Sequence, residues 1–95
     1  MSHFSTIKTK LKKTEPLIKA LDQLGYNPNQ DEKFVKGYQG KFTAVDISLD
    51  LPDNTKVGFK WDTNSNSYEL VTDLDLWKYN LPVERFISKV TQMYA

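Results

Sequence analysis

Residues 43–72, TAVDISLDLPDNTKVGFKWDTNSNSYELVT, carry apolar side chains at every second position through three consecutive runs. That is the period of half-buried strands, and the three runs read as an antiparallel meander. In the first run Val45, Ile47, Leu49 and Leu51 share one face, with Asp46, Ser48 and Asp50 on the other. Pro52-Asp53-Asn54 is a turn signal. Val57, Phe59 and Trp61 then alternate with Lys56, Gly58 and Lys60. One hairpin register places Asp50 opposite Lys56, Asp46 opposite Lys60, Leu49 opposite Val57 and Ile47 opposite Phe59. A slip by one residue would break both faces together. Residues 62–67 are small and polar, a second hairpin loop, and the third run sets Tyr68 and Leu70 against Glu69 and Val71.

The flanking segments each carry an apolar face that needs this sheet. Residues 3–11 alternate as a strand, with Ile7 and Leu11 on one side and Lys8 and Lys10 on the other. Residues 15–24 form an amphipathic helix with Thr14 as its N-cap and Pro16 in the first turn. Leu17, Ile18, Ala20, Leu21 and Leu24 make its stripe. Gly25 ends it by taking a left-handed conformation, and Tyr26 folds back over the last turn. Residues 27–31 are a solvated connection to a short strand at 33–38, and Gly37 and Gly40 mark a bulge or tight turn. Asp73 caps a single helical turn or loop. Asn80 is expected to cap a last helix that buries Val83, Phe86, Ile87, Val90 and Met93 or Tyr94, with Pro82 in its first turn. The expected fold is α+β: one domain over residues 1–95, in the order β-α-β-β-β-β-α, with about five antiparallel strands and two helices on one face.

Composition narrows the function classes. Ninety-five residues allow a single core, and aromatic residues, 13% of the chain, must fill much of it. The absence of cysteine excludes a disulfide framework or thiolate zinc site and suits a reducing cytoplasm. Apolar runs of three or four residues leave no membrane span or secretory segment, so the expected location is cytoplasmic, without membrane contact. The net charge is +1, yet Lys8, Lys10, Lys12, Lys13 and Lys19 against Glu15 put +4 in the first twenty residues. Such a basic end suits phosphates or an acidic partner, although lysine on an edge strand also serves against aggregation.

No arrangement of residues points to catalysis. The single histidine, His3, is the only ordinary general base, and its place at the N-terminus suits strand capping or solvation better than a triad. Met-Ser-His would chelate copper or nickel only if Met1 persisted, and the small Ser2 favours its removal. Asp46 and Asp50 lie about 13 Å apart along a strand, too far for acid–base work as a pair. Asp62, Asn64 and Asn66 resemble a calcium loop but lack its glycine and distal glutamate. No catalytic residue, metal site or cofactor is expected. The expected interaction surface is the solvent face of the sheet and its first strand: Lys8, Lys10, Lys12, Lys13, Tyr38, Phe42, Asp46, Lys56 and Lys60. A ligand cavity between sheet and helices would need more room than so small a core leaves.

Three blocks, MSHFSTIKT at residues 1–9, GYQG at 37–40, and GFKW followed by SYELVTDL at 58–74, resemble the small hypothetical chloroplast reading-frame family thirty-five. The resemblance covers nearly the whole chain. Family members occur in plastids of algae, in cyanobacteria and, in short forms, in viruses that infect them, and the longer ones continue past the position of Ala95. The resemblance implies a stromal or cytoplasmic protein of photosynthetic cells. Members are encoded near an AAA-class ATPase and a ferredoxin-like protein, which implies an accessory or adaptor role with a protein partner, such as that ATPase or another host photosynthesis-related protein. It supplies no catalytic residues. The expected function is non-enzymatic protein binding; the alternative is weak nucleic-acid binding through Lys8, Lys10, Lys12 and Lys13.

Overall fold

Asp50 stands opposite Lys56, Leu49 opposite Val57 and Ile47 opposite Phe59, the register that two incompatible faces impose on the central hairpin. The computed structural model describes residues 4–37 and 40–95; the expectations placed on His3 and Tyr38 lie outside the described residues. Strands β1 (Ser5–Lys8), β4 (Ile47–Leu51), β5 (Thr55–Asp62) and β6 (Ser67–Thr72) form an antiparallel sheet in the order β1-β6-β5-β4. Strands β2 (Phe34–Lys36) and β3 (Phe42–Ala44) pair separately as a hairpin. Helices α1 (Thr14–Gln23) and α2 (Val83–Tyr94) complete the α+β fold.

One face of the sheet meets both helices. Ile47, Leu49, Val57, Phe59 and Leu70 share a core with Leu17 and Leu21 of α1 and Phe86 and Val90 of α2. Phe59 and Phe86 are fully buried, a gain of about 1.5–3 kcal/mol each over leaving the ring in water. The turn Pro52–Asn54 places Asp53 and Asn54 at φ 67° and 61°, left-handed positions that Asp and Asn tolerate. Helix α1 closes as its sequence implies. Gly25 has φ 84°, its N–H reaches the Asp22 carbonyl, and the Tyr26 N–H reaches that of Leu21, which satisfies two of the terminal carbonyls.

Local expectations fail at the bulge and at the helix caps. Val45 does not share a face with Ile47. The Asp46 N–H bonds the Phe59 carbonyl at 2.9 Å while Ile47 is the register partner of Phe59, so two residues oppose one in a bulge. This extra residue turns Val45 to the opposite side of the sheet, where it clusters with Val35, Val71 and Phe4. It also splits the expected single strand into β3 and β4. Asp46 therefore does not stand opposite Lys60, and its carboxylate accepts the Trp61 N–H at 2.7 Å.

Two further failures concern helix caps. Lys13, not Thr14, occupies the start position of α1, and the Thr14 hydroxyl is taken by the Tyr68 hydroxyl instead. Pro82 occupies the start position of α2, where Asn80 is two residues too early to cap. The approach to that helix is held by the Trp77 indole N–H on the Leu81 carbonyl at 3.0 Å.

The second face is not the open charged wall that alternation suggests. The β2–β3 hairpin lies over β5, and Val35 and Val45 fill the space above Gly58, where a Cβ would come within 2.4 Å of Val45 Cγ1 and 2.6 Å of Val35 Cγ2. Only a side-chain-free residue permits that approach. Ser48 is buried under the same cover, its hydroxyl donating to the Glu32 carbonyl at 2.7 Å. The far half of the face stays open. There Glu69 stands between Lys8 on β1 and Lys60 on β5, alternating charges across three strands.

Candidate interaction surface

The β2–β3 hairpin exposes one side and buries the other because its residues alternate. Val35 turns down into the cover over Gly58, whereas Phe34 and Phe42 turn outward, 55% and 62% exposed. Their rings meet edge to face at 6.2 Å, an arrangement that orders two large apolar groups without hiding them. Of the large apolar side chains exposed among the described residues, only these two are in contact in this way.

Beneath this pair a groove of about 720 Å³ runs along the β4 edge, between the hairpin and the C-terminal end of α1. Phe34, Lys36 and Phe42 line one wall, Gly25 and Tyr26 another, and Asp50, Lys56, Tyr79 and Lys89 the rest. Lys56 pairs with Asp50 at 2.7 Å. The Lys89 ammonium has no carboxylate partner among the described residues. It donates to the Tyr26 hydroxyl at 3.3 Å and sits 5.6 Å from the centre of that ring. Tyr26 and Tyr79 share a hydrogen bond of 3.0 Å. That bond, followed by burial, raises the Tyr79 pKa above the ordinary tyrosine value. The groove thus presents three lysines, two carboxylates (Glu32 and Asp50), hydroxyls and aromatic rings.

The residues expected from the sequence to act together divide among several places. Phe42 and Lys56 meet in this groove. Asp46 and Lys12 line a smaller one with Lys33 and Trp61. Lys8 and Lys10 border Ile87 and Thr91 of α2, and the Lys8 ammonium lies 3.4 Å from Asp62. Lys13 is exposed at the start of α1, and Lys60 stands opposite Glu69 on the open half of the sheet. Of the N-terminal lysines, Lys8 and Lys10 thus border one surface hollow and Lys12 another. Phe34, Lys36, Tyr26, Tyr79 and Lys89 escaped the sequence reading. Phe34 and Lys36 carry a usable signal, since they flank the buried Val35 and must share its opposite face. Lys89 and Tyr79 carry none, because they join the groove through distant elements.

Among the described residues no group of three or more His, Asp or Glu side chains is placed to hold a metal ion. No helix of the described chain is long and apolar enough to cross a membrane.

Comparison with known proteins places these features in a family. The description "Protein of unknown function (DUF1257)" matches residues 20–95. The chain is 40% identical over 95 residues to the "Uncharacterized protein ycf35" of Guillardia theta. It is 35% identical to the protein of that name from Pyropia yezoensis and 30% identical to that from Cyanophora paradoxa. In each case all of this chain and 73% of the relative are covered. No solved structure matches the chain. A family match over residues 20–95 and three relatives aligned along its whole length establish that the chain belongs to the ycf35 family.

Proposed function

We propose that the protein is a non-enzymatic binding module, an accessory or adaptor that docks a protein partner through Phe34 and Phe42. The observation that carries this reading is the exposed, ordered ring pair on a hairpin whose underside is locked to the sheet by Val35. Aromatic side chains on a rigid mount lose little freedom on binding and are enriched at the centres of protein interfaces. Three carboxylates near the candidate surfaces have structural tasks: Asp46 holds the Trp61 N–H, Asp50 pairs with Lys56, and Asp62 orders its own hairpin loop, while Glu32 lines the groove. These engagements favour binding over acid–base chemistry. The setting in this reading is the cytoplasm or stroma of a photosynthetic cell, or a virus of such a cell. The partner class is an AAA-class ATPase or another host photosynthesis-related protein.

The test is capture from cyanobacterial lysate by the immobilised protein and by its Phe34→Ser/Phe42→Ser variant. A specific host protein should be retained by the first, released by the second, and held at moderate salt. Equal recovery by both overturns the reading. The second reading, weak nucleic-acid binding through Lys8, Lys10, Lys12 and Lys13, is favoured by the exposure of all four side chains. A single-stranded oligonucleotide bound through about four lysines would lose affinity steeply as salt rises. Failure to bind at low salt removes that reading.

A further inference from the structure

We infer that the groove along the β4 edge binds a nucleotide-like ligand, a small molecule joining a flat ring to a phosphate. The site shares Phe34 and Phe42 with the protein-docking reading and adds Lys36 and Lys89; ligand titration and partner capture read the two separately. Its volume of about 720 Å³ lies within the range of small-ligand sites, which run to roughly 300–1,000 Å³.

Charge decides the ligand class. Lys36, Lys56 and Lys89 line the groove, and among the described residues only Lys56 has a carboxylate partner there, Asp50. Glu32 is the other acidic residue on the wall. The three lysines outnumber the two carboxylates of the wall by one, and lysine ammonium groups recognise phosphate as point charges. The end of α1 that borders the groove would oppose an anion through its open carbonyls. Three of those carbonyls are engaged: Ala20, Asp22 and Leu21 accept bonds from the N–H groups of Leu24, Gly25 and Tyr26, which reduces that opposition. Lys89 is held beside the Tyr26 ring and hydroxyl, which position the ammonium without neutralising it.

The ring half of the ligand follows from Phe34 and Phe42. Both line the groove, both are exposed, and their mutual edge-to-face packing leaves ring surface free for a stacked base. Base stacking on an aromatic side chain tolerates any base, so the inference extends to the class and not to one nucleotide.

ADP is the probe, with adenosine and inorganic phosphate as separate arms, followed by amide chemical shifts and by calorimetry. ADP should move the amides of Tyr26, Lys36, Phe42 and Lys56 and bind about tenfold or more tighter than either fragment. The Lys36→Gln/Lys89→Gln variant, altered only at exposed positions, should lose about tenfold for ADP and leave adenosine unchanged. Phe42→Ser should weaken ADP and adenosine together. Absence of shifts at about 5 mM ADP, a concentration that reveals even millimolar binders, overturns the inference. So do shifts confined to Lys8–Lys13, or an unchanged affinity in the lysine variant. Phosphate binding as tightly as ADP overturns the ring half.

Discussion

Val45 closes over the α-carbon of Gly58 so nearly that a Cβ there would lie 2.4 Å from its Cγ1 and 2.9 Å from its own Cβ. Gly58→Ala should therefore push the hairpin off the sheet and cost about 1–3 kcal/mol in urea denaturation. Val45→Ala in the same chain should recover part of that loss, because it removes the atom nearest the clash. The recovery should exceed what additivity allows, since the two residues touch.

Phe86 and Phe42 offer a direct contrast between core and surface. Phe86 is fully buried and packs against Tyr26 and Trp77, with ring centres 5.3 and 6.0 Å away. Phe86→Ala should cost about 3–5 kcal/mol through the cavity it leaves. Phe42→Ala should stay within about 0.5 kcal/mol of the parent. Thermal or chemical denaturation of the two variants side by side checks both values.

The Tyr94 hydroxyl accepts the backbone N–H groups of Lys12 and Lys13 at 3.1 and 3.0 Å. Tyr94→Phe should lower stability by about 1 kcal/mol, the ordinary net worth of such bonds near a surface. Faster hydrogen exchange should appear at those two amides first.

Asp46→Ala should free the Trp61 N–H and loosen the bulge, at a cost of about 1 kcal/mol. Trp61 is 36% exposed and meets Tyr68 at 5.2 Å, so its fluorescence should report the change directly.

Asp62 gives the chain a pH dependence with a definite sign. Hydrogen bonds from Ser65 and then from the Asn64 N–H hold its carboxyl below the ordinary aspartate value of 3.8, with Lys8 assisting and desolvation acting the other way. A carboxyl lowered on folding stabilises the fold fully above its unfolded value, and that contribution disappears as pH falls through the lower folded one. Below about pH 4 the urea midpoint of the parent should fall more steeply than that of Asp62→Asn.

What the sequence made legible followed from how many constraints bear on each residue. The Asp50–Lys56 hairpin was readable because its two faces conflict under any slip. The Gly25 helix stop and the Asp73 turn were readable because both are local, the latter by its bond to the Asp75 N–H at 3.0 Å. Val45 was not, since a bulge is a backbone event that alternation does not encode. The Thr14 hydroxyl found a partner in Tyr68, 54 residues away, and no local rule anticipates it. The groove shares that fate: Tyr26, Lys36 and Lys89 come from three elements that meet only when the sheet is complete.

Strand order has a consequence for synthesis. Ser5 pairs with Thr72 and Lys8 with Glu69, so β1 joins the sheet only after β6, about sixty residues later in the chain, has been made. Until then β5 has no partner on one flank and β1 has none at all, a window in which the nascent chain is open to mispairing. Lys8 and Lys10, whatever else they bind, place charge on the segment left waiting.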